Sequence, residues 1–261
     1  WDLSHLYSGP AGKDLESALL DVEQRICSFE KAYDGQVASL SPKAFGRAII
    51  EYESICGLLG CIASFAPLYH SQNVEDSERG RFYQDTIDQV TRLSSKSLFF
   101  TLAINRLSDS HLEKKLDDPT VAKYRPWIRD LRVYRDHELS DDLERLLHEK
   151  SVSGRSAWIR LFDQTEASIR CNIGDETLTL TEALNRLSDA MPERRRSAAK
   201  SIGNALGKKI DLFTHITNVL AKDKATEDEW RKYQRPVSYR NLANLVEDEV
   251  VEALVKAVGE A

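Results

Sequence analysis

The chain is poor in the residues that break or punctuate structure. Its 261 residues include 12 glycines and 7 prolines, too few for the many turns of an all-β protein. The four cysteines (Cys27, Cys56, Cys61 and Cys171) contain no C-x-x-C pair. In a chain of this length they read as reduced intracellular thiols rather than a disulfide framework. Excess positive charge is also missing. A net charge of −6 gives no bulk electrostatic case for nucleic acid. No stretch reaches the ~18 to 20 consecutive apolar residues of a membrane span. The longest candidate, Ile55 to Tyr69, is interrupted by Gly57, Gly60 and Pro67, so no membrane partner is expected. No basic-then-apolar leader is visible, and a cytoplasmic location is the expectation. With 41% hydrophobic and 30% charged residues, the composition is that of a soluble globular protein of one large domain or two small ones.

Helical periodicity fills most of what remains. Leu15, Leu19, Val22, Ile26 and Phe29 form a heptad seam that Gly35 ends. Ser41-Pro42 opens a second helix, with serine at the N-cap and proline where its missing N–H does no harm. Phe45, Ile49, Tyr52, Ile55, Leu59 and Ile62 continue it, and from Ile55 to Phe65 the run is apolar nearly all round. That predicts a helix at the centre of a bundle, with Cys56 and Cys61 as small buried residues. A third long pattern covers 76–107. Further helices open at Asp118-Pro119 and Ser140-Asp141-Asp142. Trp127, Leu131 and Tyr134 share one face; Trp158, Phe162, Thr165 and Ile169 make another stripe. Trp127, Trp158 and Trp230 all read as core.

The period changes once. Ile169, Cys171 and Ile173 alternate with polar residues, as do Leu178 and Leu180, around Gly174-Asp175. A short β-hairpin within 168–180 is predicted. Thr179-x-x-Glu182 then forms a capping box. Thr226-x-x-Glu229 is a second candidate box, and Gly259 a candidate C-terminal cap. The fold class is therefore all-α, a multi-helix lobe with one short β-hairpin.

Chemistry is harder to place. Two histidines four apart on a helix would let both imidazoles reach one metal. None of His5, His70, His111, His137, His148 and His215 has a partner at that spacing. His148-Glu149 begins such a motif, but Val152 stands where the second histidine belongs. No G-x-S-x-G elbow or phosphate loop ending in Gly-Lys-Ser/Thr is present. Gly154-Arg155-Ser156 reads as a close helix–helix packing point. Arg194-Arg195-Arg196 is the strongest basic cluster, read as a solvated helix face, with phosphate or peptide carboxylate as the alternative. No catalytic or metal-ligating residue is assigned, and no substrate-binding residue either.

Several segments nevertheless resemble a known family. Trp1-Asp2-Leu3-Ser4-x-Leu6-Tyr7 is similar to the opening of oligoendopeptidase F-type enzymes. So are Tyr124 to Leu131, Leu139 to Asp163, the hairpin with Leu180 to Leu184, and Thr217 to Ala225. Trp230-Arg231, Pro236 and Asn241 to Asn244 continue the match in order. The family belongs to the thimet-oligopeptidase-like zinc metallopeptidases. The resemblance implies an almost wholly helical fold of two lobes around a channel that admits short peptides. It also implies an H-E-x-x-H helix with a downstream glutamate holding one zinc ion, whose bound water attacks the peptide bond. No residue here matches those catalytic elements, so the resemblance is to the N-terminal portion. It implies N-terminal helical hairpins over 1–110, an N-terminal oligoendopeptidase F-type domain over 111–182, and a truncated start of the peptidase domain over 183–261. The chain begins with Trp1 and closes just after the amphipathic run Val246 to Val258, so a piece of a longer protein is expected. Zinc would belong to the full-length enzyme and not to this segment. The segment would pack on its missing catalytic domain, leaving Val246, Val250, Leu254 and Val258 as an exposed stripe in isolation. The alternative is a non-catalytic helical binding or scaffold module.

Overall fold

The computed structural model describes residues 2–260; Trp1, part of the opening similarity, lies outside the described residues. The order is α1 (Lys13–Tyr33), α2 (Pro42–Ser71), α3 (Ser77–Ser95), α4 (Leu98–Arg106), α5 (Asp109–Leu116), α6 (Pro119–Ala122), α7 (Arg125–Arg132), α8 (Asp141–Lys150) and α9 (Arg155–Ala167). The hairpin β1 (Arg170–Ile173) and β2 (Glu176–Thr179) follows. Then come α10 (Leu180–Asn185), α11 (Pro192–Gly207), α12 (Ile210–Trp230), α13 (Ser238–Ala243) and α14 (Asp248–Glu260). Helix accounts for 73% of the residues and strand for 3%, which makes the fold all-α with one hairpin.

Local signals set most of these boundaries. Gly35 adopts φ +68° just after α1, a conformation that favours glycine. Ser41 caps α2 by accepting from the Ala44 N–H at 3.3 Å, with Pro42 in the first turn. In the hairpin Arg170 pairs with Thr179 and Ile173 with Glu176. Gly174, the first of the two loop residues, has φ +62°. The capping box of Thr179 and Glu182 is present with both of its bonds.

The main core lies in the first half. Leu15, Val22, Ile26 and Phe29 of α1 meet Phe45, Ile49, Ile55, Ile62 and Phe65 of α2, with Leu93, Phe100 and Ile104 closing over them. Phe29 and Phe100 meet edge to face, 5.1 Å between centroids. Gly46 permits a close approach, since a Cβ there would fall 2.3 Å from Thr120 Oγ1 on α6. Lys115, 2% exposed, is a buried cation that the pattern did not reveal. Its ammonium donates to the carbonyls of Ala38 (3.1 Å) and Leu40 and lies over the Phe45 ring. It thereby satisfies carbonyls of the α1–α2 connection. A second, smaller core holds Ile169, Cys171, Ala183 and Ile202 between the hairpin, α10 and α11.

Several expectations are corrected. The stretch 76–107 is two helices, broken at Lys96 and Ser97. The Ile55–Phe65 run is not buried all round: Cys56, Gly57, Gly60, Cys61 and Ser64 face out, because α1 and α3 pack on the side that carries the larger residues. Cys56 and Cys61 are exposed thiols. Helix α2 is long and apolar enough to cross a membrane by length and composition, with a mean hydropathy of 1.5 over 18 residues and 33% of that window buried. Interruption by glycine and proline did not shorten it. Thr226 lies inside α12, where its hydroxyl donates to the Lys222 carbonyl at 3.0 Å instead of opening a helix. Gly259 lies within α14. Trp127 does pack against the main core, half-buried, but Trp158 is half-buried away from it and Trp230 is 60% exposed. At Gly154 a Cβ would meet the Lys150 carbonyl oxygen at 3.1 Å, so the residue eases the turn from α8 to α9 rather than a helix–helix contact.

Candidate functional site

A cleft of about 520 Å³ separates the α2–α3 turn from α9, the hairpin and the start of α10. Its wall on the core side is built at the end of α2. There the His70 ring stacks on Tyr83, 5.3 Å between centroids and 25° between planes. The residue is 8% exposed, and Nε2 is buried without a hydrogen-bond partner. Gly80 lies beside the ring, where even a Cβ would make only an ordinary contact with Nε2, at 3.6 Å. Burial pushes the imidazole below its ordinary pKa, against the pull of Asp163 and Asp76. The ring is thus a neutral, largely structural wall. Arg79 seals the end of α2, donating to the Tyr69 carbonyl at 2.9 Å and to Gln72 Oε1 at 2.7 Å, with its guanidinium 4.4 Å from the Tyr69 ring centre.

The opposite wall is charged with both signs. Arg160, Asp163 and Glu166 come from α9, and Arg170 from β1. Arg170 clasps the Glu75 carboxylate with paired bonds of 2.8 and 2.9 Å across the mouth. Such a lining can hold a polar, zwitterionic chain by hydrogen bonds. The Thr179 hydroxyl in this lining donates to the Glu182 carboxylate at 2.8 Å, a bond that belongs to the capping box opening α10. Among the described residues, no three histidine, cysteine, aspartate or glutamate side chains converge in a way that could hold a metal ion.

The residues singled out in the sequence do not meet here. His148 Nε2 lies 2.8 Å from Ser94 Oγ, and neighbouring Glu149 accepts from Ser95 Oγ at 2.9 Å. Together they tie α8 to α3. Burial lowers the pKa of His148, so it is an interhelical contact and not simply a surface helix residue. Arg194 pairs with Asp189 at 3.5 Å, and Arg195 donates to the carbonyls of Asp189 and Ala190. Both thus brace the turn before α11, while Arg196 faces outward. The sequence reading passed over His70, which closes an apolar run with no motif around it. It also passed over the junction at Arg231. There the guanidinium makes bonds of 2.6 and 2.9 Å to Glu144 and another of 3.2 Å to the His137 carbonyl. The His137 ring stacks on Tyr233 at 4.0 Å. Burial alone would raise the pKa of Glu144, but the hydrogen bonds from Arg231 and the Leu139 N–H bring it below the ordinary value.

The lobe is thus all-α, with a polar cleft of mixed charge beside its single hairpin. Part of the sequence, and the fold, are similar to known proteins. Residues 104–170, from the end of α4 to the start of β1, match the family model of oligopeptidase F. The fold is similar to a crystal structure of oligoendopeptidase-F from Enterococcus faecium, at 18% identity and a TM-score of 0.83, over 95% of this chain and 50% of that one. It is also similar to a putative peptidase from Chlamydophila abortus, at 16% identity and a TM-score of 0.60, over 100% of this chain and 44% of that one. No curated protein matches by sequence. The chain thus spans about half the length of the solved structures it matches, and its resemblance is to the N-terminal portion of oligoendopeptidase F-type proteins.

Proposed function

We propose that this chain is the N-terminal helical part of a zinc-dependent oligoendopeptidase that hydrolyses short peptides inside an enclosed channel. The observation that carries the reading is the fold agreement with oligoendopeptidase-F over 95% of this chain, supported by the family match at 104–170. The chain's own residues do not fit a zinc site, since no metal-ligating trio converges among the described residues. In this reading the metal and its ligands lie in the other half of the enzyme, and no step is routed through them here. This half contributes walls. Its mixed-charge cleft offers donors and acceptors to a peptide backbone, and α14 offers an apolar face to the catalytic part. Val250, Leu254 and Val258 are 56%, 64% and 69% exposed, a continuous stripe of the kind that marks an interaction surface.

The test is a fluorogenic peptide assay on the 261-residue chain and on the complete product of its reading frame, each with zinc and with a chelator. The reading expects chelator-sensitive cleavage by the complete product and none by the chain alone. A complete product that is inert with zinc would favour the non-catalytic binding or scaffold module. Chelator-sensitive cleavage by the chain alone would overturn the division of labour.

A further inference from the structure

We propose that the outer face of α11 is a docking site for an acidic peptide segment in extended conformation. Arg196, Lys200 and Asn204 follow one another at four-residue steps, and Lys208 continues the series at the C-cap. All four are exposed. Among the described residues, none of the three cations has an ion-pair partner, unlike Arg194 on the same helix.

A groove of about 250 Å³ runs between this face and β1. Lys200, Lys208, Ser197, Ser201, Asn172 and Asn204 line it, and no carboxylate does. Arg170 also reaches it, but its guanidinium is already held by Glu75. Ser201 Oγ donates to the Asn172 carbonyl at 2.8 Å and fixes the strand edge against the helix. Unpaired cations and neutral hydrogen-bonding groups thus face one groove, in a chain whose net charge is −6.

The spacing selects the ligand. Four helical residues rise about 6 Å, and the whole series spans about 18 Å. Side chains on one side of an extended peptide repeat every ~7 Å, so acidic residues at alternate positions fall close to register with the cations. A single phosphate is too small to meet charges so far apart. Single-stranded nucleic acid has a suitable charge spacing, but its binding grooves add aromatic platforms for the bases, and this groove contains no aromatic residue. The site does not rest on the peptidase reading.

The experiment is fluorescence anisotropy on the 261-residue chain with a labelled peptide of alternating glutamate and serine. The comparison ligands are the glutamine–serine counterpart, inorganic phosphate as competitor, and labelled oligothymidylate. The acidic peptide should bind, weaken with added salt and exceed the neutral peptide by about tenfold, the scale of a few exposed ion pairs. K200E/K208E, at exposed positions without partners, should abolish that preference and leave the circular dichroism unchanged. K13E/K31E on α1 makes the same change in net charge and should leave binding intact. Equal binding by K200E/K208E, equal binding of the neutral peptide, full competition by phosphate at equal charge, or tighter binding of oligothymidylate would each overturn the proposal.

Discussion

Helices α1 and α14 carry the same kind of apolar stripe and end in opposite surroundings. Leu15, Val22, Ile26 and Phe29 of α1 are almost wholly buried, whereas Val250, Leu254, Val255 and Val258 of α14 are more than half exposed. The contrast extends along the chain. Among the described residues, the exposed large hydrophobics before residue 140 are Leu20 and Ile50; from Leu146 onward they recur on nearly every element. Periodicity decides which side of a helix is apolar. Whether that side is covered depends on what packs on it: α2 and α3 cover α1, while among the described residues α14 makes its main contact with the short α13.

The largest test of this contrast lies in the first core. Phe100→Ala removes a ring that touches Phe29, Phe45, Tyr52 and Phe99. It should lower the unfolding free energy by about 3 to 5 kcal/mol in denaturant titration. A loss under about 1 kcal/mol would mean this half is no better packed than the other. Next is the junction of α12 with α8, the helix that packs on α3 and α4. Arg231→Ala leaves Glu144 without its partner in a pair where both side chains are about 15% exposed. It should cost about 3 kcal/mol and increase hydrogen exchange in α12 and α8 together. Exchange confined to α12 would show that the pair does not couple the two regions.

A smaller effect should appear with pH. Burial holds the His148 pKa below its ordinary value, so the unfolded chain takes up this proton at higher pH than the folded one. The stability tied to a neutral His148 is fully present above the ordinary histidine range and is lost as pH falls through the depressed value. His148→Gln keeps a side chain able to reach Ser94 and does not titrate, so wild type should weaken relative to the variant as pH drops from 7 toward 5. Parallel curves would remove the assignment. The smallest change should come from α14. Leu254→Gln with Val258→Gln should alter unfolding by less than about 0.5 kcal/mol, while reducing self-association and hydrophobic-dye binding. Thiol reactivity adds a check on the same comparison: Cys27, Cys56 and Cys61 should react in the native state, and Cys171, buried in the second core, only after unfolding.

Features with local causes were legible in the sequence. The caps at Ser41 and Thr179, the stop at Gly35, the hairpin around Gly174 and the seam of α1 each follow from residues within a few positions of one another. What failed was set at a distance. Cys56 and Cys61 sit in an apolar run, and only the placement of α1 and α3 leaves them outside. Lys115 is buried because the α1–α2 connection presents carbonyls to it from some 75 residues away. His70 gains its place by stacking on Tyr83 across a turn, a relation that no spacing rule encodes. Thr226 satisfies the letter of a capping box, yet a hydroxyl inside a helix also has the preceding turn's carbonyl within reach, and the pattern cannot tell which bond forms.

The clasp between Glu75 and Arg170 joins residues 95 positions apart. Closing a free loop of that length costs about 4 kcal/mol in chain entropy, while a half-exposed ion pair returns about 1 kcal/mol or less. The clasp therefore cannot initiate folding. The α3–α8 ties at Ser94 and Ser95 fall within that loop and shorten it, so the clasp costs less once they are made. The mouth of the cleft is then held shut by a bond far weaker than the packing behind it, so parting Glu75 from Arg170 costs about 1 kcal/mol or less.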